Sequence, residues 1–233
     1  MRDISLEDVE RFVELARRAE GRYCDDPPGI HLAFHEAGHL VACQAMGIRV
    51  LEAVVDNGQG RVCPAALSDD DEAALSSAGP ETLSPAQLAL AARHLVVDHA
   101  GLAAQHELVG WPDYLDEYWD DESASDEEFD AMVAEVDAAL EAEANSDDMV
   151  MAADRARRFW PESESLMRTW AENEALDIIA KNRRAVLAVA GALVELRHLD
   201  EKQIAQIFQI LEPVHPRAAG QYIGHAQQAL EQV

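Results

Sequence analysis

The residues with the clearest chemical potential lie in one short segment, His35-Glu36-Ala37-Gly38-His39. Side chains at positions i and i+4 of a helix share one face, so both imidazoles can reach a single zinc ion at about 2.0–2.1 Å. Glu36 would then stand beside the metal as a general base for water. The HExxH spacing therefore predicts a zinc site with His35 and His39 as metal ligands and Glu36 as the catalytic residue.

Two further residues continue the same helical face but do not fit the same ion. His31 lies one turn before His35 and Cys43 lies two turns after it. Eight helical residues rise about 12 Å, whereas a zinc ligand lies about 2 Å from the ion. We interpret His31 as a polar residue of the first turn and Cys43 as a small core residue. The longer HExxHxxGxxH motif is excluded, because Ala42 and Ala45 stand where Gly and His are required.

Three blocks of the chain resemble a known family. Residues 33–42, AFHEAGHLVA, resemble the active-site helix of the FtsH-type zinc peptidases, the protease half of membrane-bound AAA+ proteases. Residues 100–108, AGLAAQHEL, are similar to that family's AGxAAE segment, with Gln105 where an acid is usual, and residues 180–208 are similar to its closing helices. The resemblance extends in scattered blocks from residue 28 to residue 212. It implies a helical, zincin-like metallopeptidase domain.

The resemblance also implies a third metal ligand, an aspartate at the start of a downstream helix within a Gly-Ala-Ser-Asn-Asp-like motif. The matching segment is Ala124-Ser125-Asp126-Glu127. An ungapped overlay puts Glu127 at the ligand position, and a shift of one residue gives Asp126, which keeps the residue type. We select Asp126 and keep Glu127 as its rival. Asp120 and Asp121 also stay open, and Glu107 is the next candidate.

Helical periodicity and capping residues predict a mainly α fold with one small β-hairpin. The zinc-binding helix runs from Pro28 to Met46, and Gly47 stops it. The hairpin has strands at 49–56 and 61–67. Ser84-Pro85 begins a helix that reaches Leu108, whereas the acidic segment 68–84 is predicted to be a loop. Other helices are expected at 5–22, 125–140, 148–159, 163–181, 183–196 and 200–211, with a weaker one after Pro216.

These elements suggest a division of the chain into three parts. Residues 1–27 form an N-terminal helix and linker, residues 28–212 form the peptidase-like helical domain, and residues 213–233 form a tail helix. The longest apolar stretch, residues 185–194, is shorter than the roughly 20 residues that a membrane span requires. The domain is therefore expected to lie outside the membrane.

The composition restricts the partners of the protein. The 45 acidic and 18 basic residues give a formal net charge of −27, which repels nucleic acids and anionic lipids. The three cysteines are widely spaced without a CxxC pair, and the charged N-terminal segment lacks an apolar signal region. Both features favour a cytoplasmic location, and the resemblance to peptidases implies a polypeptide as the substrate.

The HExxH motif and the family resemblance together predict zinc-dependent endoproteolysis of unfolded or flexible polypeptides. The 233 residues contain no GxxxxGK[ST] motif, so hydrolysis is expected to proceed without ATP, with an external unfoldase or a homo-oligomer as further partners. Substrate would lie extended along an exposed edge of the hairpin. The alternative is a non-catalytic acidic interaction protein with a structural or vestigial metal site. Glu36 favours the enzyme, because a structural metal site has no need of a general base.

Overall fold

The computed structural model describes residues 3–21, 29–56, 58–77, 79–110 and 146–211. Over these ranges the fold is mainly helical with a small three-stranded antiparallel sheet, which confirms the predicted mainly α class. In chain order the elements are α1 (Leu6–Arg17), α2 (Ile30–Ala45), β1 (Val50–Asp56), β2 (Gln59–Pro64), α3 (Asp69–Ser77), a 3-10 turn (Pro80–Thr82), α4 (Pro85–Leu108), α5 (Asp147–Phe159), α6 (Glu164–Lys181), α7 (Arg183–Leu196), β3 (His198–Asp200) and α8 (Glu201–Ile210).

Local capping sets the ends of several helices. Ser5 and Ser84 each form a capping box with the residue three positions later, Asp8 and Gln87 respectively. These reciprocal hydrogen bonds satisfy backbone N–H groups that the first turn leaves without helical partners. After α2, Gly47 adopts a φ of 70°, a left-handed conformation that ends a helix at little steric cost.

Helix α2 lies at the centre of the hydrophobic core. It packs against α4 on one side and α7 on another, while α1 packs on α7, and α5 and α6 pack on α4. Apolar residues cover nearly all faces of α2, as expected for a helix that is surrounded by others. Its largest fully buried side chains are Phe34, Leu40 and Val41. This central position gives the HExxH segment a rigid support.

The sheet has the strand order β2-β1-β3, with both pairings antiparallel. The predicted hairpin is present as β1 and β2, and β3 adds three residues to the other edge of β1. In the described part of the chain, β2 pairs with β1 alone, so its outer edge is not covered by a strand. Both β1 and β2 contact α2.

The structure corrects the prediction for residues 68–84, because residues Asp69–Ser77 form the helix α3 and not a loop. The Ser68 hydroxyl accepts a hydrogen bond from the Asp71 N–H, which caps the first turn. Acidic residues in that turn also interact favourably with the positive end of the helix dipole. The acidic run that suggested a loop therefore favours a helix N-terminus.

Other sequence predictions lie outside the described residues, among them the helices at 125–140 and after Pro216 and the tail at 213–233. None of the helices in the described ranges combines the length and apolarity that a bilayer crossing requires. The division into parts at residues 27 and 212 stays a prediction.

Candidate metal centre

His35 and His39 lie one turn apart on α2 and direct their Nε2 atoms toward a common point. The two Nε2 atoms are 3.1 Å apart. Two ligands of a tetrahedral zinc ion, each about 2.0–2.1 Å from the metal, are roughly 3.3 Å apart. The two imidazoles therefore have nearly the spacing that a shared ion requires, as the HExxH motif predicts.

Asp148 completes this group from the first turn of α5. Its Oδ2 atom lies 2.8 Å from Nε2 of His35 and 3.2 Å from Nε2 of His39. All three candidate ligand atoms lie within 4.8 Å of one another, and no other group of this kind occurs in the described ranges. Two neutral imidazoles and one carboxylate are a common donor set for catalytic zinc, because they leave a fourth tetrahedral position open.

Charge complementarity holds the three side chains together. Burial by itself would raise the pKa of the Asp148 carboxyl, but hydrogen bonds with His35 and His39 outweigh that effect and lower the pKa below its ordinary value. For His39, burial acts to lower the pKa, and the interactions with Asp148 and Glu36 overcome it and raise the pKa. The carboxylate thus stays ionised, which is the form that binds a metal.

Helix α4 orients the imidazole of His39. The Nδ1 atom of His39 lies 2.8 Å from the carbonyl oxygen of Val97. When Nδ1–H donates this hydrogen bond, the proton is held on Nδ1 and the Nε2 lone pair is free for a metal. Metal-binding histidines typically make a hydrogen bond of this kind through the ring nitrogen that does not bind the metal.

Gly101 of α4 leaves the space in which the two imidazoles converge. A Cβ atom at this position would lie 2.5 Å from Nε2 of His39 and 2.6 Å from Nε2 of His35. Both distances are far shorter than van der Waals contact, so every larger residue would push the imidazoles away. The glycine of the AGLAAQHEL segment thus has a direct steric reason to stand beside this site.

Glu36 lies between the histidines in sequence and faces strand β2. Its side chain is buried, and a Cβ added at Gly60 would overlap the Glu36 carboxylate. Burial raises the pKa of Glu36, while the neighbouring His39 and His35 partly offset this effect. A carboxylate with a raised pKa is a better proton acceptor, as a general base requires.

A cavity of about 680 Å³ lies between the candidate metal ligands and strand β2. Gly60 and Val62 line it from the strand, and Met151 lines it from α5. The volume lies within the range of ligand-binding clefts. Glu36, His35 and His39 therefore border a cavity whose opposite wall is formed by strand β2.

The other predicted candidates are placed differently. Asp126, Glu127, Asp120 and Asp121 lie outside the described residues, so the prediction of Asp126 as a ligand stays a prediction. Glu107 is exposed on α4 and does not line the cavity. Among described residues, His31 and Cys43 line the cavity without joining the metal-binding group. Burial raises the pKa of Cys43 to about 12, which keeps its thiol protonated and is consistent with a core role.

Asp148 is a candidate metal ligand that the sequence analysis does not predict. The sequence pattern predicts Asp148 only as the first residue of the helix at 148–159. The signal was present in Ser146-Asp147-Asp148, which has the same Ser-x-Asp spacing as the Gly-Ala-Ser-Asn-Asp motif. In the structure Ser146 caps α5 through the Met149 N–H, so the aspartate does lie in a first turn.

Comparison of the chain with models of known protein families and with curated proteins gives no match.

Proposed function

We propose that this protein is a zinc-dependent metalloendopeptidase with a zincin-like helical domain. His35, His39 and Asp148 would hold the ion, and Glu36 would be the general base. The observation that carries the proposal is the triangle of Nε2, Nε2 and Oδ2 atoms with sides of 3.1, 2.8 and 3.2 Å beside a buried glutamate. Three protein ligands leave one tetrahedral position for the chemistry, which is typical of catalytic and not structural zinc sites.

Bound zinc would supply a Lewis acid that polarises the scissile carbonyl and lowers the pKa of water. Glu36 accepts the proton of the attacking water and then donates it to the leaving amine, a role to which its raised pKa is suited. Val97 holds His39 in the tautomer that presents Nε2. Strand β2 binds the substrate backbone by strand addition along its outer edge, next to Glu36.

This mode of binding favours unfolded or flexible polypeptides, because only an extended segment can add to a strand edge. The chain contains no ATP-binding GxxxxGK[ST] motif, so hydrolysis of such substrates should not depend on ATP. A folded substrate would require a separate unfoldase.

The test compares metal content and proteolysis of an unfolded, fluorescently labelled protein for three forms of the chain. Wild type should contain about one zinc per chain and cleave the substrate without ATP. Glu36→Gln should keep the zinc and lose at least about 100-fold in rate, because an amide cannot accept the proton of water. Glu107→Gln is the matched control, since Glu107 is an exposed glutamate outside the cavity.

Equal rates for Glu36→Gln and wild type would reject Glu36 as the base. Stoichiometric zinc in wild type with no hydrolysis of any unfolded substrate would favour the alternative, an interaction protein with a structural metal. Absence of bound zinc in wild type would reject the metal centre itself.

A further inference from the structure

A buried ion pair joins α4 to α5 near the candidate metal centre. Nε of Arg155 donates a hydrogen bond of 2.7 Å to Oδ2 of Asp98. The two side chains are only 18% and 9% exposed, respectively. Burial raises the pKa of Asp98, and the adjacent Arg155 guanidinium partly offsets the rise. Both side chains border the cavity but are largely shielded from solvent, so each charge depends on the other and the pair constrains the positions of both helices.

Both partners are adjacent to residues of the metal centre. Asp98 follows Val97, whose carbonyl oxygen contacts His39. Arg155 lies two turns after Asp148 on α5, and residues separated by seven positions share one face of a helix. One short stretch of α4 therefore contacts the histidine ligand through its backbone and the aspartate-bearing helix through a side chain.

The face that α5 buries carries mainly small side chains, with one large residue, Phe159, at its C-terminal end. Its buried residues are Ala152, Ala156 and Phe159, and two of these have only a methyl side chain. At the end of α5 that carries Asp148 the buried residues are alanines, so apolar packing there constrains the rotation of the helix less than a set of large side chains would. A rotation by one residue is about 100°, and a slide by one turn is about 5.4 Å, either of which would remove Asp148 from the imidazoles.

We propose that Asp98 and Arg155 are positioning residues for the metal centre. Their ion pair fixes the register of α5 on α4 and thereby holds the Asp148 carboxylate against His35 and His39. The inference rests on the proposed metal site and adds two residues to it that do not touch the ion.

A purely electrostatic influence of these charges predicts a different result. Removal of the Arg155 cation would then strengthen binding of a divalent cation, and removal of the Asp98 anion would weaken it. Positioning predicts that both substitutions weaken metal binding, because each breaks the same contact. The sign of the Arg155 effect therefore separates the two explanations.

The experiment measures the zinc dissociation constant by chelator competition, well below the unfolding temperature, for wild type, Asp98→Asn, Arg155→Met and the double variant. Each single variant should bind zinc at least about tenfold more weakly, as for other outer-layer supports of metal ligands. The double variant should lose no more zinc affinity than the single variant with the larger loss, since both changes remove the same interaction. Cobalt-substituted forms should show altered d–d absorption, a readout that a general loss of stability does not change.

The matched control is the ion pair between Arg11 and Glu195, which joins α1 to α7 away from the cavity. Arg11→Met and Glu195→Gln should leave the zinc dissociation constant and the cobalt spectrum unchanged. If Arg155→Met does not fold, Arg155→Lys keeps the charge but loses the Nε contact, and it should still weaken binding and alter the spectrum.

Zinc binding by Arg155→Met or Arg155→Lys that equals or exceeds that of wild type would overturn the inference, as would equal losses in the control variants. Failure of wild type to bind zinc would instead overturn the proposed function together with it.

Discussion

Two helix crossings of this fold depend on a glycine, but only one of them serves a candidate active site. Gly38 of α2 crosses α4 so closely that an added Cβ would overlap the carbonyl oxygen of Ala100. Gly191 of α7 crosses α1 in the same way, and its Cβ would overlap the carbonyl oxygen of Phe12. In both crossings a missing side chain allows backbones to approach closely.

The difference lies in what each close approach brings together. Between α2 and α4 it places the Val97 carbonyl against His39, and Gly101 against both imidazoles. Between α1 and α7 it buries apolar residues such as Val9 and Phe12, with ion pairs confined to the exposed rim. Packing and chemistry thus depend on the same contacts in the first crossing, whereas the second contributes stability alone. Substitutions in the first crossing should therefore reduce zinc affinity, whereas substitutions in the second should reduce stability alone.

The largest effect is expected for Asp148, the ligand that α5 places against His35 and His39 of the first crossing. Asp148→Ala should weaken zinc binding by more than about 100-fold, since loss of an outer-layer partner alone costs 10- to 100-fold. Asp126→Ala tests the sequence-based prediction in the same assay. Zinc loss in Asp126→Ala but not in Asp148→Ala would show that the sequence-based choice is correct and the assignment of Asp148 is wrong.

Substitution of Gly101 should reduce metal binding without a comparable loss of fold. The added methyl group of Gly101→Ala would collide with the two Nε2 atoms, so we expect zinc affinity to fall by about 10- to 100-fold. Isothermal titration calorimetry on the folded variant measures this directly. Wild-type affinity in Gly101→Ala would show that the imidazoles do not converge beside this glycine.

Gly191→Ala is the matched substitution in the second crossing. Its methyl group would meet the backbone of α1, and overpacking of this kind destabilises a protein by about 1–3 kcal/mol. Urea unfolding should show this loss, while zinc affinity of the folded variant stays at the wild-type value. A parallel loss of zinc affinity would mean that the two crossings are not independent.

The response to pH distinguishes α4 from the two helices of the second crossing. Burial lowers the pKa of His99 on α4 to about 4, whereas neither α1 nor α7 contains a histidine. Between the ordinary histidine pKa of about 6.5 and a pKa near 4, the unfolded chain binds more protons, so stability falls as pH falls. In metal-free protein, the stability of wild type relative to His99→Gln should decline by on the order of 2 kcal/mol across this window. A difference that stays constant with pH would contradict the burial of a neutral His99.

Local patterns in the sequence determined much of this protein. The HExxH motif placed His35, Glu36 and His39 on one helix, and the capping box at Ser84 set the start of α4. These features depend on residues within one or two turns of each other, so a sequence can specify them without knowledge of the fold. The hairpin of β1 and β2 was also predicted, because its turn residues are local.

Only the tertiary structure decided the features that depend on distant contacts. Strand β3 has three residues and exists through its pairing with β1, which lies far away in the chain. The acidic stretches near residues 126 and 148 look equivalent in sequence, since each offers carboxylates at a predicted helix start. Asp148 reaches the imidazoles because α5 packs on α4, a contact between segments far apart in the chain. The distance between the carboxylate and the imidazoles is set by the packing of helices, and a sequence pattern does not contain it.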